Sequence, residues 1–199
     1  LDFLAPGARD QINDWVASST KNKIKEIIPA GFLSGNTRLI LTNAIYFKGR
    51  WKSAFPVRNT RDGLFKAVGA DLTCSMMNQT GHFAYGEVGT TQVLEMPYQG
   101  DRLSMVVLLP KNEAEMAKLE LDEKRLAGFL SSMHSREVQV GLPRYKISWQ
   151  ASLSQPFRNL GIKLAFLRDK ADLSGVGGLP GELFIGEVFH KAFVDVQES

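Results

Sequence analysis

Arg38-Leu39-Ile40-Leu41-Thr42-Asn43-Ala44-Ile45-Tyr46-Phe47-Lys48-Gly49-Arg50-Trp51 is the stretch on which the fold turns. Arg38 to Phe47 is rich in Leu, Ile, Thr, Tyr and Phe, residue types that suit a pleated surface, and Gly35-Asn36 and Gly49 bound it. A run this long and apolar on both sides predicts a strand buried on both faces inside a large sheet. One face reads Leu39, Leu41, Asn43, Ile45 and Phe47, which puts the polar Asn43 in an apolar row. A second run closes the chain. Leu183 to Val196 predicts another long strand, with Phe184, Gly186, Val188, His190, Ala192, Val194 and Val196 on one face and Glu187, Lys191 and Asp195 on the other. That contrast marks the His190 face as the core side. A buried amide or imidazole left unpaired costs about 1 to 3 kcal/mol, so Asn43 and His190 each need a partner, either one another or nearby backbone.

Between and before these runs the pattern mixes helix and strand. Asp10 followed by Ile12, Trp15, Val16, Ile24, Ile27 and Ile28 at helical spacings predicts an amphipathic helix over 10–28, stopped by Pro29 and Gly31. Residues 51–91, punctuated by Gly63, Gly69, Gly81 and Gly86, predict short strands and turns. Val93 to Tyr98 and Leu103 to Leu109 predict an antiparallel hairpin whose second strand is buried on both faces. One or two short surface helices are expected over 113–133, a strand over Glu137 to Leu142, and a short helix over Leu153 to Leu160. Without repeats, linkers or low-complexity tracts, residues 1–199 read as one mixed α+β domain.

Composition narrows the function classes. With 44% hydrophobic and 23% charged residues the 199-residue chain is typical of a folded globular protein. Its net charge of +3 comes from 24 basic residues scattered among 21 acidic ones, too mild a bias for a nucleic-acid partner. Lys21, Lys23 and Lys25 alternate with other residues, so on a helix they spread around the cylinder. No apolar run reaches the roughly 18 residues of a membrane span, so no membrane partner is expected. The first residues show no targeting pattern, and a start at Leu1 fits a processed or truncated chain. A single cysteine, Cys74, rules out an internal disulfide and reads as a free thiol.

The chain carries little that would do chemistry. His82, His134 and His190 stand far apart and outside metal-ligand spacings, and no Gly-x-Ser-x-Gly turn presents a nucleophile. Gly175-Val176-Gly177-Gly178 lacks the helix start and Lys-Ser/Thr of a phosphate cradle and reads as a loop. No cofactor, no metal and no enzymatic activity are therefore expected. Asn78-Gln79-Thr80 matches a glycosylation acceptor, which matters only in a secreted eukaryotic protein.

The run Thr42 to Trp51 resembles the serpin signature Thr-Asn-Ala-Ile-Tyr-Phe-Lys-Gly-x-Trp, which in that family forms strand 3 of sheet A and its exit. Further similarities follow in family order. Ile12 to Val16 with Lys23-Ile24-Lys25 resembles helix F, while Val93 to Tyr98 and Leu103 to Pro110 resemble two strands of sheet B. Leu142 to Ile147 resembles the entry to strand 6 of sheet A, and Leu160 to Phe166 with Ala171 to Gly175 resembles the helix-and-loop segment that follows. Val188 to Val196 resembles strand 5 of sheet A.

The resemblance implies a partial serpin fold: a large, mainly antiparallel sheet A with sheets B and C and covering helices, incomplete at both ends. It implies helices A to E before Leu1, and the reactive loop with the last strands of sheets B and C after Ser199. The expected activity is suicide-substrate inhibition of a serine protease, in which the cleaved loop inserts between strands 3 and 5 of sheet A. Asn43 and His190 would be the shutter beneath that sheet, and Trp51, Arg144 and Glu198 the breach at its upper end. An extracellular setting is favoured on the same ground. Complementing serpin segments or self-polymerisation are expected beside the protease partner. The alternatives are a non-inhibitory carrier or binding serpin and, from another class, a hydrolase using His190 and a serine.

Overall fold

The computed structural model describes residues 1–199 apart from Leu1, Leu4, Gly35, Asn36, Arg38, Leu39, Asn43, Ala44 and Val68. The described residues form two compact units, one of residues 1–47 with 146–194 and one of residues 48–145 with 195–199.

The second unit is built on a five-stranded antiparallel sheet. Strands β1 (Arg61–Ala67), β2 (Ala70–Val88), β3 (Thr91–Pro97) and β4 (Ser104–Pro110) lie in chain order, and β5 (His134–Pro143) pairs with β2. The 19-residue β2 is longer than the short strands expected from its glycines. Of the four glycines read as punctuation, only Gly69 turns the chain, with φ 81 between the paired Ala67 and Ala70. Gly81 and Gly86 stay within β2, and the space a Cβ would need at Gly86 is taken by the Ser132 carbonyl oxygen, 2.6 Å away. Here glycine serves close approach and not a bend.

The β3–β4 hairpin forms as expected, running from Thr91↔Pro110 to Pro97↔Ser104. Strand β4 is only half-buried, however, with Leu109 exposed. Met105 and Val107 pack on the core, while Leu109, further along the same face, lies outside it. The core gathers Trp51, Phe55, Met77, Phe83, Met96, Val140, Leu142 and Val196. Two short helices, α2 (Glu113–Ala117) and α3 (Glu123–Ser131), are capped by Asn112 and Asp122, whose side chains accept from the backbone N–H groups of Glu115 and Arg125.

In the first unit, α1 spans Ala8–Ser19 and stops well short of residue 28. Lys21 and Asn22 take left-handed backbone (φ 51 and 59), and the Thr20 hydroxyl donates to the Val16 carbonyl at 2.8 Å while accepting from the Ile24 N–H. The chain then returns alongside α1, where the buried Asn13 amide accepts from the N–H groups of Ile27 and Ile28 and donates to the Ile28 carbonyl. Ile28 is thus buried beside α1 without belonging to it.

Strands β6 (Tyr145–Ser152) and β7 (Phe189–Val196) form a two-stranded sheet, and α4 (Ser154–Asn159) follows β6. Two expectations fail here. None of the described residues of the run 38–47 lies in a strand, and Leu41 and Ile45 are 81% and 78% exposed. An apolar run is buried on both faces only where neighbouring strands and covering layers exist, and among the described residues no strand pairs with it. The closing strand likewise begins at Phe189 and not at Leu183.

From Phe189 to Val194 the faces of β7 are also reversed from the expectation, while Val196, at the end of the expected core row, is buried as read. Phe189, Lys191 and Phe193 are the covered side: Phe32 meets Phe189 edge-on at 4.7 Å, Lys191 Nζ donates to the Glu26 carbonyl at 3.0 Å, and Lys23 Nζ lies 5.1 Å from the Phe193 ring centre. Residues 23–32 strap that face. His190 and Val194, with Ile147 and Trp149 of β6, are exposed. The row is apolar as read, but burial needs a cover, and the strap lies on the other face.

Candidate functional site

Trp51 is buried between Tyr98, stacked at 4.8 Å and 13°, and Phe55, edge-on at 6.4 Å. Backbone bonds from Lys52 N to the Pro97 carbonyl and from Gln99 N to the Arg50 carbonyl hold residues 50–52 against 97–99. The indole Nε1 donates to the Gln197 carbonyl at 2.7 Å. One residue on, the Glu198 carbonyl accepts from Phe55 N at 3.0 Å. Residues 197 and 198 are therefore fixed by both side-chain and backbone donors.

The Glu198 carboxylate lies at the same place. Its Oε1 accepts from the Thr60 hydroxyl at 2.9 Å and from Arg144 Nη1 at 3.3 Å, while Arg144 itself is anchored by its N–H to the Ser75 carbonyl at 2.8 Å. The two side chains of the ion pair differ in exposure, 10% for Glu198 and 52% for Arg144. A buried anion beside a half-solvated cation draws more from fixed hydrogen bonds than from the pair. Its own backbone N–H, the Thr60 hydroxyl and Arg144 hold the Glu198 carboxyl below the usual carboxylate range, against desolvation. Trp51, Arg144 and Glu198 thus come together around residues 197–198. Sequence reading missed Thr60, which stands 138 positions from Glu198 with no spacing to link them.

His190 lies on the exposed face of β7, its ring 5.8 Å from that of Trp149. Asn43, its expected partner, lies outside the described residues. Among the described residues no serine hydroxyl is hydrogen-bonded to His190, so the nucleophile and base of a hydrolase are not assembled there. Nor does any group of three or more His, Cys, Asp and Glu side chains suit a metal ion among the described residues.

A groove of about 380 Å³ opens under the β3–β4 turn. Its Glu95 accepts from Ser104 Oγ at 2.6 Å and its Asp101 from Lys52 Nζ at 2.7 and 2.9 Å, so both carboxylates have donors from the chain itself. Cys74 is a free, half-buried thiol on β2 opposite Gly63. Asn78 sits within β2, donating from Nδ2 to the carbonyls of Met76 and Asn59. No helix among the described residues is long and apolar enough to cross a membrane.

The mixed helices, antiparallel sheets and signature run find their counterpart in one family: the chain matches the serpin (serine protease inhibitor) family over residues 1–199 and belongs to it. It is similar to antithrombin-III of Homo sapiens, 40% identical over 206 residues that cover 100% of this chain and 44% of that protein. Leukocyte elastase inhibitor A of Mus musculus is 41% identical over 212 residues, covering 100% of this chain and 56% of the relative. Among solved structures, emu ovalbumin (Dromaius novaehollandiae) superposes with a TM-score of 0.90 at 31% identity, over 96% of this chain and 51% of that one. The fold is the serpin fold, and the chain spans about half the length of the relatives it matches.

Proposed function

We propose that the chain is part of a suicide-substrate inhibitor of a serine protease, acting by insertion of a cleaved reactive loop, which this chain does not contain, into the sheet that includes β7. One observation carries this reading: among the described residues the strand partner of β7 is β6 alone. Serpin loop insertion is an instance of strand addition at a sheet edge, and the side of β7 away from β6 is where such a strand would add. Membership of a protease-inhibitor family supports the same reading. Residues 1–199 then belong to one serpin domain, with the two compact units as its parts.

In this proposal Trp51, Arg144 and Glu198 act as the breach and hold the exit of β7 through Gln197 and Glu198. Asn43 and His190 act as the shutter, and the exposure of His190 leaves its ring available to a partner on a neighbouring strand. The partner is a serine protease whose identity is set by the loop.

The test mixes the full-length protein, loop included, with trypsin-like, chymotrypsin-like and elastase-like proteases. The expected result is a covalent complex that survives boiling in detergent, absent when the protease's own catalytic serine is replaced. Loop cleavage by every protease that attacks it, with no complex and no gain in melting temperature, would overturn the proposal in favour of a carrier or binding serpin.

A further inference from the structure

The approach to β7 carries a hydrogen-bond cluster. Immediately before the strand, Glu187 Oε1 accepts from Ser152 Oγ at 2.6 Å, from Ser154 Oγ, and from the Val188 N–H at 2.9 Å. The Val188 N–H is shared with Ser154 Oγ, also at 2.9 Å, and the Val188 carbonyl accepts from Leu153 N at 2.8 Å. Both backbone groups of Val188 are thus committed to the corner where β6 ends and α4 begins. Ser154 is buried there, and its hydroxyl is satisfied in both senses, donating to Glu187 and accepting from Val188.

Burial is the largest influence on Glu187 and raises its pKa, but Ser152, Ser154, the Val188 N–H and the charge of Arg158 together hold it below the usual carboxylate range. The acceptor is therefore an anion, and hydrogen bonds to an anion are about twice as strong as neutral ones. The two sides of β7 consequently differ. Towards β6 it is bonded by the ladder and by this cluster, while its other edge has no strand among the described residues.

We propose that Ser152, Ser154 and Glu187 form a latch binding β7 to β6 and α4, so that an inserting strand adds on the side of β7 away from β6 and does not separate β6 from β7. Glu187 is a positioning residue for insertion, and this role rests on the loop-insertion reading above. With the latch broken, β7 can separate on either side, insertion slows against hydrolysis of the acyl-enzyme, and more inhibitor is released as a cleaved substrate.

The experiment uses the full-length protein with Glu187→Ala, Ser154→Ala and the hydroxyl-keeping Ser154→Thr. It measures moles of inhibitor consumed per mole of protease trapped and amide hydrogen exchange at Leu153 and Val188. Glu187→Ala and Ser154→Ala are expected to speed exchange at both amides about tenfold, the effect of losing one charge-assisted hydrogen bond, and to raise the stoichiometry several-fold. Ser154→Thr should leave both near wild type. If Glu187→Ala does not fold, Glu187→Gln, which keeps the shape but not the charge, takes its place with a smaller shift in the same direction. Unchanged exchange, or faster exchange with unchanged stoichiometry, overturns the latch alone. A wild type that traps no protease defeats the loop-insertion reading and the latch's part in it.

Discussion

At Glu198 the structure shifts weight from the partner that sequence reading named to one it did not. The Thr60 hydroxyl donates to the carboxylate at 2.9 Å, whereas Arg144 reaches it at 3.3 Å with a guanidinium side chain 52% exposed. A hydrogen bond to a charged group contributes about 1.5 to 3 kcal/mol, while an ion pair with a solvated cation contributes roughly 0 to 1 kcal/mol. Thr60→Val, which keeps the shape and removes the donor, should therefore couple to Glu198→Ala by about 1 to 2 kcal/mol in a double-mutant cycle. Arg144→Ala should couple by under about 1 kcal/mol. Urea denaturation of the full-length protein carrying each single and double change measures both couplings. An Arg144 coupling equal to or larger than that of Thr60 refutes the assignment. The pH dependence has a definite sign. The folded carboxyl lies below its unfolded value, so its contribution is fully present above the ordinary carboxylate pKa, about 4.3, and is lost as pH falls through the folded value. The difference between wild type and Glu198→Ala should shrink over that acid range.

Gly86→Ala brings a Cβ to 2.6 Å from the Ser132 backbone oxygen and should destabilise by about 1 to 3 kcal/mol, read as a lower denaturation midpoint; an unchanged midpoint would mean that α3 does not pack on β2 there. His190→Ala in the isolated chain should shift stability by no more than about 0.5 kcal/mol because the ring is exposed, whereas in the full-length protein it should speed polymer formation; a large loss in the isolated chain would contradict the exposed placement. Cys74→Ser should leave protease trapping unchanged, and loss of trapping would show a role for the thiol. The isolated 199-residue chain should associate in light scattering, since the apolar face of Ile147, Trp149 and Val194 is exposed; a monomer with a sharp, high-temperature melt would oppose this.

Local chemistry was legible in the sequence wherever it acts over a few residues. The hairpin of β3 and β4 and the turn at Gly69 depend on adjacent residues. The signature around Thr42 to Trp51 was enough to point to the family. Tertiary structure alone decided which of two alternating faces is covered. Period-2 patterning sorts residues into faces, but burial depends on what lies above each, so His190 and Val194 of the apolar row are exposed while residues 23–32 cover Phe189, Lys191 and Phe193. It also decided that Gly81 and Gly86 lie within a strand, because a glycine serving close approach looks the same in sequence as one serving a turn. Trp51, Arg144 and Glu198 were legible as residues, but Thr60 and the Ser152, Ser154 and Glu187 cluster were not. Those contacts join positions up to 138 residues apart, and only the folded chain brings hydroxyl and carboxylate within bonding distance.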